Sequence, residues 1–118
     1  MAYAGFDLQF NSNCINYSAC NPKSQIGSGT GDAMANIMQP GLLRVLVDYS
    51  AYAEAHDDNG ISGSGYLCKL TFTAVNTGNC SLAFVQNQGN PPGWLKLLKY
   101  DGSTIENVGW INSSITVY

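Results

Sequence analysis

Hydrophobic and polar residues alternate along much of this chain, with the two-residue period of β-strands. Residues 6–10 place three apolar side chains on one face, and residues 43–49 place four. Apolar-rich segments bounded by turn residues recur later and predict further strands at residues 70–74, 80–84, 94–100 and 110–117. Because no long helical period is present, we predict an all-β protein, an antiparallel β-sandwich forming a single domain over residues 1–118.

The segments between these strands are predicted as turns and loops. Residues 75–79 (VNTGN) form a turn that joins the strands on either side into a hairpin. Residues 11–38 and 50–65 are predicted as loops or short irregular strands. Residues 32–38 are the one stretch that could form a helical turn, and the Pro-Gly pair that follows would end it.

Polar but uncharged residues dominate the composition. The chain has twelve Asn, eleven Ser and six Thr, whereas only 11% of residues are charged and the net charge is −3. An average globular protein has roughly 25% charged residues. This balance excludes a basic nucleic-acid-binding surface and a polybasic membrane patch, and no apolar run approaches the roughly 20 residues of a membrane span. The turn-rich, aromatic composition is typical of extracellular β domains.

The four cysteines are Cys14, Cys20, Cys68 and Cys80, and they allow three complete pairings. Cys14 and Cys20 are close enough in sequence to close a small loop and are a candidate disulfide. If the predicted hairpin turns around Thr77, Cys68 and Cys80 lie on neighbouring strands but too far apart to bridge. Buried free thiols are an alternative for both. No CxxC motif is present and the single His56 is not near a cysteine, so no metal site is expected.

Three N-x-S/T triplets are candidate glycosylation sites. They begin at Asn16, Asn79 and Asn112. Each is an acceptor if the protein is exported. An Asn-rich chain also produces such triplets by chance, so both interpretations remain open.

The only histidine next to carboxylates is in the run His56-Asp57-Asp58. A hydrolase needs a nucleophile and an oriented base that converge in a pocket, whereas this run lies in a predicted turn. We therefore interpret it as a solvated turn. The chain also lacks GxSxG, HExxH and GxxxxGK[ST] motifs, and we predict that it is not an enzyme.

Four segments carry a further pattern. Residues 60–72 (GISGSGYLCKLTF) combine a Gly-rich turn with a strand, residues 4–10 are AGFDLQF, and residues 40–45 are PGLLRV. The chain ends with YDGSTI at residues 100–105 and NSSITV at residues 112–117. In this order and spacing, the four segments resemble the cohesin modules of bacterial and archaeal scaffold proteins. The resemblance covers nearly the whole chain.

This resemblance implies a nine-stranded jelly-roll sandwich in an extracellular or cell-surface scaffold protein. It implies binding of a dockerin, a small calcium-loaded helical module of another protein, so calcium is expected on the partner and no cofactor on this chain. The family's binding face corresponds here to residues 6–10, 43–49, 66–74 and 94–100. Strand alternation then assigns the outward side chains of the first three segments to the partner-binding face: Asp7, Gln9, Arg44, Leu46, Asp48, Lys69, Thr71 and Thr73.

The chain departs from the family in three respects. It begins almost at the family's third strand, so the first strands are expected to be missing and two sheet edges to be bare. Residues 11–31 lack the family's usual Y-D-P motif and contain Cys14 and Cys20 instead. The chain's four cysteines are also unusual for the family. The bare edges support a second hypothesis, a structural subunit of a surface layer or filament that self-associates by strand exchange and is completed by a donated strand.

A third hypothesis is a carbohydrate-binding module that binds polysaccharide, since related jelly rolls bind glycans. Four aromatic side chains could stack on sugar rings: Trp94, Trp110, Tyr49 and Tyr52. The alternative for Trp110 is core packing, because it opens the last predicted strand.

Overall fold

The computed structural model describes residues 1–85, 95–105 and 108–118. Within these residues the chain forms ten strands and one short helix. In chain order they are β1 (Tyr3–Phe10), β2 (Ile15–Cys20), β3 (Lys23–Ile26), β4 (Gly29–Gln39), β5 (Leu42–Asp48), α1 (Ser50–Ala55), β6 (Gly65–Tyr66), β7 (Leu70–Ala74), β8 (Gly78–Phe84), β9 (Leu95–Leu98) and β10 (Ser113–Val117).

The strands form two antiparallel sheets. The large sheet has eight strands in the order β10-β8-β1-β5-β4-β3-β6, and β9 also pairs with β1. Along one edge of β1, Tyr3 to Phe6 pair with β9 and Leu8 to Phe10 pair with β8. The small sheet consists of β2 and β7. The predicted all-β, antiparallel sandwich architecture is thereby confirmed, with the large sheet curled around the core.

The core lies against β1 and β5, where the alternation is strictest. Phe6 and Leu8 of β1 are buried beside Leu43 and Val45 of β5, and the register pairs Phe6 with Val45 and Leu8 with Leu43. Full burial of each such side chain contributes about 1.5–3 kcal/mol. These two central strands are therefore the elements that the sequence predicts most directly.

Residues 32–38 form part of a strand, so the predicted helical turn is wrong. β4 pairs with β5 along its length, and the alternation of small residues places Ala33 and Ala35 toward the core. Ladder hydrogen bonds to a central strand outweigh a weak local helical preference.

The helix α1 lies where the sequence predicts a loop. The Asp48 side chain accepts a hydrogen bond of 2.7 Å from the Ser50 backbone N–H at its start. Ala53 is fully buried, and the helix ends at Ala55 with His56 as its C-cap. A six-residue helix is too short to show a helical period, which is why the sequence pattern missed it.

The predicted hairpin around residues 75–79 is also wrong. β7 pairs with β2 in the small sheet, whereas β8 pairs with β1 and β10 in the large sheet. The connection therefore crosses from one sheet to the other. The turn residues of this connection are compatible with a hairpin and with a crossing between sheets. They specify that the chain changes direction, but not which strand each neighbouring segment pairs with.

The disulfide joins Cys14 to Cys80, with a Cα–Cα distance of 6.0 Å, and Cys20 and Cys68 are free. The predicted pairing of Cys14 with Cys20 is wrong. The extended strand β2 separates those two residues by about 20 Å, at roughly 3.3 Å per residue. Cys14 and Cys80 instead meet in the core, where both are buried.

Candidate functional site

The outer face of the large sheet is the side that points away from the core. The sheet order places β9, β1, β5 and β4 side by side on it. In register, Gly5 pairs with Leu46 on one side and with Lys96 on the other, and Leu46 pairs with Met34. Leu46 and Lys96 therefore flank a position that has no side chain, and Met34 lies one strand beyond Leu46.

This missing side chain produces a groove of about 450 Å³, which we call the outer groove. Glycine has no Cβ, so the row of outward side chains on β1 is interrupted between Tyr3 and Asp7. Apolar groups of three strands line the groove, from Met34, Leu46 and Leu98, with Tyr3 at one end. Met34 is 54% exposed, which is high for a large apolar side chain.

Carboxylates lie along one rim of the outer groove. Asp32 and Asp48 are directly opposite each other in the β4–β5 register, and both line the groove. Like charges placed opposite each other in a sheet are destabilising unless they are compensated. Lys23 forms an ion pair with Asp32 at 3.0 Å. The Asp48 carboxylate accepts a hydrogen bond from the Ser50 N–H at the start of α1. Lys96 lies on the β9 side of the same groove.

Asp7 and Arg44, both predicted on the partner-binding face, form an ion pair across β1 and β5. The Arg44 Nε donates to Asp7 Oδ1 at 2.9 Å and its Nη2 donates to Asp7 Oδ2 at 3.1 Å. The hydrogen bond to Asp7 raises the pKa of Arg44 above its ordinary value. The side chain of Asp7 is 0% exposed and that of Arg44 is 18% exposed. Asp7 therefore points outward in register, as predicted, but it is covered and offers no contact surface.

Gln9, Leu46 and Asp48 also lie on the outer side of their strands. Gln9 and Asp48 are exposed, and Leu46 is half-buried in the wall of the outer groove. Leu46 is the one apolar side chain among the eight predicted partner-binding residues.

Lys69, Thr71 and Thr73 are not on this face. Thr71 and Thr73 belong to β7, which pairs with β2 in the small sheet, and Lys69 precedes that strand. All three are exposed, and Lys69 Nζ lies 4.5 Å from the ring centroid of Tyr66. Their assignment to one surface with the outward residues of β1 and β5 is wrong. The strand that lies beside β5 on this face is β4.

Sequence reasoning missed the residues that β4 and β9 contribute to the outer groove. Met34 and Asp32 lie in the segment that was predicted as a helical turn. Leu98 lies in a strand whose outward side the sequence left undecided, because Leu97 and Leu98 break the alternation. The alternation of small residues in β4 is the sequence signal that could have predicted this strand.

The run His56-Asp57-Asp58 forms the turn after α1. The imidazole of His56 stacks on Tyr52 at 3.8 Å between ring centroids, and its Nδ1 is 2.7 Å from the Tyr52 carbonyl oxygen. Asp57 and Asp58 have φ values of 57° and 62° and are exposed. Across residues 1–85, 95–105 and 108–118, no three His, Cys, Asp or Glu side chains gather as a metal-binding group.

The aromatic residues considered for sugar stacking are mostly engaged in packing. Tyr49 is buried, with its hydroxyl 2.8 Å from Ser24 Oγ, and burial raises its pKa. Trp110 packs on Phe84 with a centroid distance of 5.0 Å, as core packing predicts. Tyr52 is half-buried under His56, and Trp94 lies outside the described residues.

The three candidate glycosylation residues are all exposed. Asn16 lies on β2 opposite Thr73, and Asn79 lies on β8 opposite Thr116. Asn112 precedes β10, and its Oδ1 accepts a 2.9 Å hydrogen bond from the Phe84 N–H.

No protein-family model and no curated protein matches this chain. In the part of the chain that the structure describes, no helix is both long and apolar enough to cross a membrane. The functional argument therefore rests on the surface itself and on the resemblance of the four sequence segments.

Proposed function

We propose that this chain is a non-catalytic protein-binding module of an extracellular scaffold or cell-surface protein, and that its partner is a calcium-loaded dockerin-type helical module. The observation that carries the proposal is the outer groove. Its exposed apolar walls lie at the centre of a four-stranded surface with charged residues at the rim. Protein interfaces combine a small apolar centre with a polar rim in this way.

The residues of the outer groove suggest what the partner presents to it. An apolar side chain would fill the space above Gly5, between Leu46 and Lys96. A lysine or arginine beside that side chain would lie near Asp32 and Asp48, which face each other across the β4–β5 pair. Such a contact would reduce the repulsion between the two carboxylates.

Two further features support the proposal. The resemblance to cohesin modules covers segments in β1, β5 and β7 and at the end of the chain. The disulfide between Cys14 and Cys80 supports an extracellular location, because disulfides persist in oxidising compartments. A jelly-roll connectivity is part of the proposal, since it is what the resemblance adds to the antiparallel two-sheet architecture.

A capture experiment tests this function. The immobilised protein is exposed to the extracellular fraction of the source organism, with and without EDTA, and bound proteins are identified by mass spectrometry. We expect a protein that carries a paired calcium-binding helical module, captured only when calcium is present. Capture of copies of this chain alone, unaffected by EDTA, would contradict the proposal.

Unpaired strand edges favour a second candidate, a structural subunit completed by a donated strand. Among the described residues, β7 pairs only with β2 and β10 pairs only with β8. The inward side chains of β7, Leu70 and Phe72, are only half-buried. An extended segment from another copy could pair with the free edge of β7 and cover them.

Light scattering coupled to size exclusion separates the two candidates. A strand-exchanged subunit would elute as a polymer that resists dilution. The binding module is expected to elute as a monomer over the whole concentration range, and a stable polymer would support the second candidate instead.

A further inference from the structure

One disulfide links the small sheet to the large sheet, and it lies at one end of the small sheet. Cys14 immediately precedes β2, and its disulfide with Cys80 attaches that end of β2 to β8 of the large sheet. Cys20 is the last residue of β2, at the opposite end of the strand. The remaining cysteine, Cys68, lies two residues before the start of β7.

The strand register brings Cys20 and Cys68 to the same end and the same side of the small sheet. Cys20 is paired with Leu70, and the next backbone contact is the hydrogen bond from the Asn21 N–H to the Lys69 carbonyl at 2.9 Å. Burial alternates along this segment, with Cys68 and Leu70 half-buried and Lys69 exposed between them. Cys20 is half-buried too, so both thiols point toward the core side.

This arrangement makes the two cysteines diagonal neighbours on one face of an antiparallel pair. Diagonal neighbours have Cα atoms about 7–8 Å apart, with the Cβ atoms somewhat closer. A disulfide needs a Cα separation below about 7 Å. Because Cys68 precedes the first ladder residue of β7, a local adjustment at residue 68 brings the pair into range without disturbing the register.

The pKa shifts of the side chains at this end of the small sheet agree with the proximity of Cys20 and Cys68. Burial and then the nearby Cys20 raise the pKa of the Cys68 thiol to about 11. Burial also raises the pKa of Cys20. Tyr17, on the same side of β2, has its pKa raised first by burial and then by both cysteines. The three groups therefore form one cluster at the inner side of the small sheet.

We propose that Cys20 and Cys68 are a second disulfide pair, which closes the end of the small sheet opposite to the Cys14–Cys80 bond. With both bonds in place, β2 is anchored covalently at its two ends. The small sheet has only two strands, and several of their residues are exposed. Burial of its own apolar side chains therefore contributes little to its stability.

The reaction requires a two-electron oxidant, and a small-molecule disulfide of the glutathione type supplies it. A thiolate of one cysteine attacks the glutathione disulfide, forms a mixed disulfide and releases one glutathione thiolate. The second cysteine attacks the mixed disulfide and releases the second glutathione. The protein loses two protons and two electrons, and the oxidant is reduced to two thiols.

The raised pKa values lower the fraction of reactive thiolate at either cysteine. At pH 8 a thiol of pKa about 11 has roughly 100-fold less thiolate than a thiol with the ordinary pKa of 9.0. The first step is therefore expected to be slow at pH 8 and to accelerate as the pH rises. The second step also needs a thiolate, but it is intramolecular because the partner thiol is adjacent.

Intact-mass analysis of the folded protein tests the pairing. The protein is incubated with glutathione disulfide, acid-quenched, unfolded and alkylated with N-ethylmaleimide. We expect wild type to pass from two alkylated thiols to none, without any glutathione adduct. A peptide map should then link the segment around Cys20 to the segment around Cys68. Protein that is isolated with this link already present supports the proposal equally.

Single variants provide the matched controls. Cys20→Ser and Cys68→Ser should each keep one thiol that is alkylated or carries one glutathione, and neither should gain thermal stability on oxidation, whereas wild type should. Circular dichroism verifies that each variant is folded. Two glutathione adducts on wild type, or disulfide-linked dimers, would overturn the proposal. The mass measurement involves no binding partner. A negative result would therefore contradict the disulfide without bearing on the proposed binding function.

Discussion

The ion pair between Asp7 and Arg44 shows how a single contact limits what the outer face can do. Both residues are on the outward side of their strands, but the two-pronged hydrogen bond and the burial of Asp7 make them part of the framework. A buried carboxylate costs several kcal/mol of desolvation, which its cationic partner has to offset. In the proposed binding function, contact with a partner would therefore fall to Leu46, Met34 and the rim carboxylates.

Replacement of Asp7 by Ala should destabilise the protein substantially. Asp7→Ala leaves Arg44 with a mostly buried charge and without this carboxylate, and we expect a loss of about 3 kcal/mol in the free energy of unfolding. Lys23→Ala is the matched control, because it breaks the exposed ion pair with Asp32 and should cost less than about 1 kcal/mol. Urea denaturation measures both, and equal losses would contradict the structural role of Asp7.

The Cys68 thiol should make stability depend on alkaline pH when Cys20 and Cys68 are reduced. Its pKa is raised from 9.0 to about 11 by folding, so the folded state holds the proton more tightly than the unfolded state. Stability is then full below about pH 9 and falls as the pH rises toward about 11. Denaturation of reduced protein at several pH values should show this decline, and Cys68→Ser should show a shallower one. If the free energy of unfolding fell equally with pH in wild type and Cys68→Ser, the burial of Cys68 would be contradicted.

At the scale of elements, the sequence predicts β1 and β5 well because each alternates strictly between apolar and polar residues. It fails for β4, whose small and polar residues acquire a strand conformation only through pairing with β5. It also fails for β7 and β8, where the local pattern specifies two strands but not that they join different sheets. Pairing partners are non-local information, and a single sequence contains little of it.

The Cys14–Cys80 bond should contribute strongly to the stability of the small sheet. It closes a loop with a sequence separation of 66 residues. The chain-entropy relation gives about 4 kcal/mol for a loop of this length. We expect Cys14→Ser/Cys80→Ser to lose roughly 2–5 kcal/mol, measured by denaturant unfolding. A double variant as stable as wild type would indicate that β2 is held by packing alone.

For the molecule as a whole, the two sheets differ in what they offer to a partner. The large sheet presents a formed groove, whereas the small sheet presents strand edges that are unpaired within the described residues. Strand alternation correctly identified the outward residues of β1 and β5, including Leu46. It could not show that Asp7 is covered or that Gly5 opens a groove, because both depend on neighbouring strands.

The most direct test compares one substitution on each sheet. The affinity of the captured dockerin-type module is measured for wild type, Leu46→Asp and Thr71→Asp. Leu46 lines the outer groove, whereas Thr71 is an exposed strand residue of the small sheet. Leu46→Asp should weaken binding by about tenfold or more with a nearly unchanged thermal midpoint, and Thr71→Asp should change it by less than about twofold. Equal losses, or a larger loss for Thr71→Asp, would contradict binding at the outer groove.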